Sequence, residues 1–337
     1  MSDTVYRSSM GRYMMEFLSH RRSLGYKALD VEYVLRSIDK YLQDTGFTGL
    51  HVTERTYENW WRSTEGQLPG TRYQKAGIFI RFLKYMATIG MDCYIPRLPR
   101  KRPSGRTPFT FSEDEMNRIF AACDSLRMKE RHTESIMICI PALIRLMYST
   151  AVRISEAISI MMCDVDFAHH VIKLTKTKNG HKRLAPINNS LETVLRQYIG
   201  FRNRLPYAIL RHPDSPLFVS SRGNPVSRKT VLTYMHRIVA DAGIEHKGNE
   251  EGPHLHSLRH TACIHSMVKC ARNGMDLYCC LPILSVFMGH RKVLDTETYL
   301  RLTQEMYPEL IKQDLSVTAN INRVIKHANL MYDETKD

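Results

Sequence analysis

Proline and arginine dominate one short stretch in the first third of the chain, and this stretch limits how the rest can fold. Residues 96–108 read Pro-Arg-Leu-Pro-Arg-Lys-Arg-Pro-Ser-Gly-Arg-Thr-Pro. Proline has no amide hydrogen and clashes inside a helix, so this stretch cannot be a regular helix. We therefore predict a linker over residues 96–109. It joins a first domain, 1–95, to a second, 110–303, which a tail over 304–337 follows.

The linker is basic, and so is the whole chain. The formal net charge is +14, and a lysine and arginine surplus of this size commonly replaces counterions on nucleic-acid phosphates. A solvated hinge with incidental charge is the alternative interpretation of the linker alone. The charge of the whole chain favours a segment that crosses a DNA backbone. The candidate DNA-binding residues of the linker are Arg97, Arg100, Lys101, Arg102 and Arg106.

An anionic membrane surface is the competing partner for a basic protein. No uninterrupted apolar run approaches the length of a membrane span, and no signal peptide opens the chain. We therefore expect a cytoplasmic protein with no membrane partner. The eight cysteines have the spacing of neither a zinc site nor a disulfide framework, so we expect reduced thiols.

The two domains differ in their predicted secondary structure. Apolar residues recur at helical spacing through residues 13–18, 31–42, 57–61 and 78–86, which predicts a small four-helix domain with Asp30 and Thr53 as caps. The second domain is predicted to begin with a helix near Ser112. It then has three short β-type runs, 163–167, 171–175 and 183–187, with an Asn179-Gly180 turn. The predicted fold class is mainly α (α+β), with a small antiparallel sheet inserted among helices.

Two segments of the second domain place polar side chains three positions apart, on one helical face. Arg153 and Glu156 form one pair, and His256 and Arg259 form the other. Taken alone, the first is an ordinary surface ion pair, and the second is a capping histidine beside a surface arginine. A guanidinium can, however, hold two phosphate oxygens in a fork, and an imidazole can move a proton. The second pair therefore suits a phosphate ester.

Five segments, taken in order, resemble the tyrosine recombinases, also called the phage integrase family. That family carries an arginine in a TGLRxSE-like segment, a lysine in a β-hairpin before an R-x-V-P-like strand, HxLRH, and LGH with a tyrosine nine residues after its histidine. The corresponding segments here are 149–156, Lys178 ahead of 183–187, 256–260, 288–290 and Tyr299. The resemblance covers about residues 110–302. Residues 1–95 match only in style, as the family's helical core-binding domain.

Some positions depart from the family pattern or leave a choice open. Ala151 stands where the family usually has glycine, and Met288 where it usually has leucine; both changes are conservative in size. Counting back from Arg183 selects Lys178 as the catalytic lysine, with Lys176 as the second candidate. His256 is preferred to its neighbour at 254 because only His256 keeps the three-residue spacing to the arginine of HxLRH.

The resemblance implies an enzyme that breaks and rejoins DNA without metal, ATP or any other cofactor. Tyr299 would attack the scissile phosphate and leave a 3′-phosphotyrosine, which keeps the bond energy for rejoining. Lys178 would protonate the departing 5′ oxygen, and His256 would help to take the tyrosine proton. The other implied roles concern charge and support: Arg153 and Arg259 clamp the non-bridging oxygens, His290 hydrogen-bonds the phosphate, and Glu156 supports the first arginine segment.

The same resemblance implies partners. These are double-stranded DNA, a synaptic tetramer of this chain on DNA, and accessory directionality proteins, in the service of a mobile element or a related integration and excision process. The tail has an apolar stripe at helical spacing, formed by Ile321, Val324, Ile325 and Ala328. The stripe would dock on a neighbouring protomer or, as the alternative, fold back on its own domain.

Three other functions are alternatives to recombination. A non-catalytic DNA-binding protein of the same fold would be favoured by loss of the tyrosine or of either arginine, and none is lost. A type IB topoisomerase shares the chemistry but acts as a monomer, so it needs no docking tail. A membrane-surface or RNA-binding protein would need only the charge. Zinc binding by the histidines around residue 256 lacks a known ligand spacing.

Overall fold

The computed structural model describes residues 6–26, 28–100, 108–127, 135–177, 180, 182–246 and 252–307. The chain divides into two compact units, Met1–Arg106 and Thr107–Asp337. The division falls inside the stretch predicted as a linker. Of the helices in the described ranges, none combines the length and the apolar character needed to cross a lipid bilayer.

The first unit is helical. Its described helices are α1 (Gly11–Ser23), α2 (Leu29–Asp44), α3 (Glu54–Ser63) and α4 (Pro69–Thr88). Thr53 caps α3 as predicted, with its hydroxyl accepting from the amide of Thr56. The predicted cap Asp30 is wrong, because α2 begins after Ala28 in a left-handed conformation and Asp30 lies inside the first turn. The core forms around Trp60, whose ring packs edge-on against Phe79 at 4.7 Å between centroids.

The second unit is also mainly helical and contains one small sheet. Its described helices are α5 (Glu113–Asp124), α6 (Ile140–Thr150), α7 (Ile154–Ala157), α8 (Asn189–Arg202), α9 (Arg228–Asp241), α10 (Leu255–Arg272), α11 (Leu277–Met288) and α12 (Leu294–Met306). The strands β1 (Val165–Asp166), β2 (Val171–Leu174) and β3 (Arg183–Pro186) form an antiparallel sheet in that order, with Ile172 opposite both Val165 and Ala185. The predicted fold class is thus confirmed.

Two apolar clusters hold the second unit together. The larger joins α5, α6, the sheet, α8 and α9, and the smaller packs α10, α11 and α12 around Met267 and Met288. The helix α10 borders both clusters, because Leu258 belongs to the first and Cys263 to the second. The ends of α6, α10, α11 and α12 therefore meet in one region, and the side chains of the candidate site project there.

The start of α5 provides a stability test away from that region. The hydroxyl of Ser112 accepts from the amide of Glu115, whose carboxylate accepts from the amide of Ser112 in return. Because an unpaired helix-terminal amide lowers stability, Ser112→Ala should reduce the free energy of unfolding of the second unit by about 1 kcal/mol. Urea unfolding followed by circular dichroism measures this. Thr233→Ala, on the exposed face of α9, is the control, and an equal loss there would contradict the cap argument.

Candidate active site

The first candidate arginine follows a left-handed residue. Helix α6 ends at Thr150, and Ala151 has a φ of +49°, which turns the chain so that Arg153 becomes the N-cap of α7. A residue with a Cβ pays about 1 kcal/mol for this conformation, whereas glycine adopts it freely. The replacement of the family's usual glycine by Ala151 is therefore conservative in size but strained in backbone.

Glu156 binds the backbone and the side chain of Arg153 through its buried carboxylate. Its side chain is only 1% exposed, and its carboxylate accepts from both the amide and the guanidinium of Arg153, each at 2.9 Å. A third donor, Arg183 Nη2, lies 3.1 Å from Oε2. Burial acts to raise the pKa of Glu156, but the hydrogen bonds and charges of Arg183 and Arg153 outweigh it and lower that pKa. The carboxylate is therefore ionised at neutral pH.

The second candidate arginine is buried in the protein. Arg259 is 1% exposed, and its guanidinium donates to the carbonyl oxygens of Ala151 and Met288, at the ends of α6 and α11. Burial, together with the charge of Arg153, lowers the pKa of Arg259 to about 10, so the side chain stays cationic at neutral pH. The guanidinium groups of Arg153 and Arg259 thus lie close enough for their positive charges to repel each other. A phosphate dianion or diester bound between them would relieve this repulsion.

The candidate nucleophile is largely enclosed. Tyr299, on α12, is 6% exposed, and its hydroxyl lies 2.8 Å from Nδ1 of His260. The ring of His290 stacks on the tyrosine ring, with the two planes 12° apart. Burial raises the pKa of Tyr299 to about 12, so the phenol is protonated at neutral pH and needs a base before it can attack.

The histidines around the tyrosine are neutral. His256 is exposed, and its ring centroid lies 4.6 Å from that of His260. Desolvation by the surrounding protein and the positive charge of Arg259 lower the pKa of His256. Burial lowers the pKa of His260 to about 3 and that of His290 to about 4. Neutral imidazoles can accept a proton, so this cluster has the capacity for base catalysis at neutral pH.

Two side chains near the tyrosine and the glutamate were not predicted as site residues. His260 lies in the HxLRH segment but had no role, although it and not His256 shares the hydrogen bond with Tyr299. Arg183 served only to align the hairpin, although it bonds Glu156. A cavity of about 200 Å³ is lined by Arg153, Arg183 and His290, among others.

Other predicted residues lie outside the described ranges or in the first unit. Lys178 lies outside the described residues, and so do Lys101, Arg102 and Arg106. Arg97 and Arg100 are exposed in the first unit. His254 caps α10, with Nδ1 accepting from the amide of Ser257. Within the described ranges, no group of three or more His, Cys, Asp or Glu side chains is placed to hold a metal ion.

Known proteins share the sequence pattern and the fold described above. Residues 110–306 match the model of the phage integrase family. A protein described as an integrase or recombinase, y4rB of Sinorhizobium fredii, is 26% identical over 91% of this chain and 97% of its own length. Tyrosine recombinase XerC of Roseiflexus is 28% identical over 57% of this chain and 56% of its own length.

Solved structures agree on the fold. The XerH recombinase bound to its difH substrate has a TM-score of 0.63 at 16% identity, covering 83% of this chain and 77% of its own. The Tn1549 transposon integrase with transposon-end DNA has a TM-score of 0.63 at 16% identity, covering 89% of this chain and 99% of its own. The family model matches more than half of the chain. This protein therefore belongs to the phage integrase family and is a tyrosine-type site-specific DNA recombinase.

Proposed function

We propose that this recombinase cleaves double-stranded DNA with Tyr299 as the nucleophile and holds the DNA through a 3′-phosphotyrosine. The observation that supports it most directly is that one region gathers a tyrosine, two arginines and three neutral histidines from separate parts of the chain. Tyr299 lies against His260 and His290. Arg259 donates to the carbonyl oxygen at the end of α11, the helix that precedes His290. Side chains of these types meet the three needs of phosphoryl transfer, namely a nucleophile, a base and fixed positive charge.

The proposed cleavage step conserves atoms and charge. The hydroxyl oxygen of Tyr299 forms a bond to the scissile phosphorus, and the bond from phosphorus to the 5′ oxygen breaks. The tyrosine proton passes to a neutral imidazole: His256 is the residue expected from the motif, and His260 is the one that shares the hydrogen bond here. Lys178 supplies a proton to the departing 5′ oxygen. Rejoining is the reverse, with a 5′-hydroxyl attacking the phosphotyrosine, so neither ATP nor a metal is consumed.

Charge on the phosphate is handled by the two arginines. We propose that Arg153 and Arg259 donate to the non-bridging oxygens, with His290 as a further donor and Glu156 holding Arg153 in place. Donors fixed before the reaction stabilise developing charge better than mobile ones, because they need little rearrangement in the transition state. Two of the donor groups of Arg259 already bond carbonyl oxygens, so its remaining N–H groups would face the phosphate.

A nicked suicide substrate tests the proposal as a whole. When the strand downstream of the scissile phosphate carries a nick, the short 5′ fragment diffuses away and the covalent complex accumulates. The full chain should form an adduct that survives a denaturing gel, in a chelator and without ATP. Absence of any adduct on DNA that carries the bound site, or loss of the adduct on chelation alone, would contradict the proposed chemistry.

Lys178→Ala should slow cleavage roughly 10²- to 10⁴-fold, the range of a general acid. A substrate with sulfur at the 5′ bridging position should restore the rate, because a thiolate leaves without needing a proton. Lys176→Ala is the matched control in the same hairpin, and it should be slowed little and gain no rescue. The opposite pattern, with rescue of Lys176→Ala alone, would move the assignment to Lys176.

The remaining proposals concern partners. We propose that both domains contact DNA, with the linker cations Arg97, Arg100, Lys101, Arg102 and Arg106 on its phosphates. Binding should then weaken steeply with salt. A protein that cuts DNA and whose eight cysteines are all free fits the cytoplasm. Accessory directionality proteins and service of a mobile element belong to the same proposal.

Assembly is proposed to occur on DNA, where four protomers and two sites form a synaptic complex. The tail would dock on the neighbouring protomer, a heterologous contact that must close into a ring. Residues 308–337 of that tail lie outside the described residues. Deletion of residues 304–337 should preserve binding to one site but abolish pairing of two sites, as measured by sedimentation on two-site DNA. A truncated chain that still pairs sites would contradict this arrangement.

A further inference from the structure

Arg183 opens β3 and connects parts of the second unit that are far apart in sequence. Its Nη2 donates to Oε2 of Glu156 at 3.1 Å, and its Nε donates to the carbonyl oxygen of Phe287 at 3.3 Å. The side chain is only 10% exposed. One guanidinium therefore joins β3, the second strand of the hairpin, to α7 and to the last turn of α11.

The backbone next to His290 is shaped around this guanidinium. Gly289 has a φ of +66°, and a Cβ built there would lie 3.0 Å from both Cδ and Nε of Arg183. Glycine is needed at this position twice, once for the left-handed backbone and once for the space that the arginine occupies. The turn that carries His290 is thus packed directly against Arg183.

We propose that Arg183 is a positioning residue for DNA cleavage, which locks Glu156 with Arg153, the Gly289–His290 turn and the start of β3 into one rigid group. The proposal rests on the roles proposed above for Arg153 and Glu156. Arg183 acts through these neighbours, and no contact with the reacting atoms is required of it.

The shape of arginine matters as much as its charge. The fork sends one donor toward Glu156 and another toward the Phe287 carbonyl at the same time. A lysine has a single ammonium on a flexible stem, so it can keep the attraction to Glu156 but cannot hold both contacts in fixed geometry. When neither an arginine nor a lysine stands at 183, the carboxylate of Glu156 keeps Arg153 as its only described hydrogen-bonding partner, and the contact of β3 with the turn is lost.

Loss of Arg183 should also change the pH dependence of cleavage. Burial acts to raise the pKa of Glu156, and Arg183 is the first of the groups that lower it. With its lowered pKa, the Glu156 carboxylate is ionised at neutral pH and supports Arg153. This support is lost as the pH falls through that pKa and the carboxylate is protonated. Removing Arg183 raises the pKa of Glu156, so the loss of activity on acidification should begin at a higher pH than in wild type. The other charged or titratable groups described around Glu156 are Arg153, Arg259, Arg291, His290, Asp164, Lys173 and Lys176.

The test compares Arg183→Met and Arg183→Lys with wild type in single-turnover cleavage of the nicked substrate at saturating protein. A displacement of catalytic groups by a mutation outside the chemistry can cost about 100-fold, so we expect Arg183→Met to cleave roughly 10- to 100-fold more slowly. Affinity for the DNA site should stay within about twofold, because no contact with DNA is required of Arg183. The rate at saturating protein reports the bound complex and is independent of affinity. Arg183→Lys should fall between the two, and the acid limb of the Met variant should move to higher pH.

A matched control separates positioning from general stability. Arg145 also makes a forked pair, with both oxygens of Asp124 at 2.9 and 2.7 Å, but between α6 and α5. Arg145→Met should keep the wild-type rate and pH profile even where its melting temperature falls. If Arg183→Met does not fold, Arg183→Lys and Gly289→Ala, which crowds the same guanidinium, carry the test by the same readouts.

Three outcomes would overturn the inference. One is a wild-type rate and pH profile in the folded Arg183 variants. Another is a loss of DNA affinity alone, which would make Arg183 a DNA contact. The last is fully independent effects of Arg183→Met and Glu156→Gln in the double variant, because residues acting as one unit are non-additive. In each of these outcomes wild-type protein still forms the Tyr299 adduct, whereas failure of the proposed function removes that adduct itself.

Discussion

Tyr299→Phe should abolish covalent attachment to DNA while leaving the affinity for the DNA site nearly unchanged. The substitution removes only the hydroxyl oxygen, and the ring stays in its pocket beside His290. Loss of the hydrogen bond to His260 should lower the free energy of unfolding by about 1 kcal/mol, too little to unfold the domain. The nicked substrate on a denaturing gel measures the adduct, and a mobility shift under native conditions measures binding.

A second tyrosine provides the matched control for this experiment. The hydroxyl of Tyr148 lies 2.8 Å from Nδ1 of His265, so Tyr148→Phe breaks the same kind of bond between the same residue types. Its stability should fall by a similar amount, and its adduct should form at the wild-type rate. An adduct that persists in Tyr299→Phe, or that disappears in folded Tyr148→Phe, would remove the nucleophile assignment.

Arg153→Ala and Arg259→Ala should each slow cleavage about 10²- to 10³-fold, corresponding to roughly 3–4 kcal/mol of lost transition-state stabilisation. The two should differ in stability. Arg259 is buried, so its loss leaves the carbonyls of Ala151 and Met288 without a donor, at about 1–3 kcal/mol each. Arg153 is 20% exposed, and Glu156 keeps Arg183 when it is removed. Single-turnover rates and urea unfolding of the same preparations measure both effects.

Arg202 serves as the control for removing a buried arginine. It is fully buried and donates to the carbonyl oxygens of Leu210 and Pro216, with no contact to the histidine cluster. Arg202→Ala should lower stability at least as much as Arg259→Ala, yet the rate per folded molecule should stay near wild type. A rate loss in Arg202→Ala equal to that of Arg259→Ala would mean that the arginine effects arise from unfolding.

The sequence predicted the features whose signals are local. The helix start near Ser112 could be predicted from consecutive residues, and so could the spacings of Arg153 to Glu156 and of His256 to Arg259, because each depends on one helical turn. The Asp30 cap was predicted wrongly, since a left-handed Ala28 starts α2 earlier than the pattern suggests. Backbone conformation at such a residue depends on tertiary packing and leaves no local signal.

The spacing of residues along the sequence could not predict contacts between distant segments. Arg183 bonds a glutamate 27 positions before it, and His260 bonds a tyrosine 39 positions after it. Both residues lay within motif segments, but nothing in a motif says which side chain meets which once the helices pack. Ala151 shows the same limit, because its small size was visible in the sequence while its positive φ was not.

The two carbonyls that face Arg259 explain how this site can exist before substrate arrives. A guanidinium buried without a counterion would destabilise the folded protein. The ends of α6 and α11 carry the negative poles of two helix dipoles, and Arg259 sits on the carbonyl oxygens there. These dipoles offset the buried positive charge, so Arg259 is held in a fixed position without DNA, and its remaining N–H groups are left for the phosphate that we propose it binds.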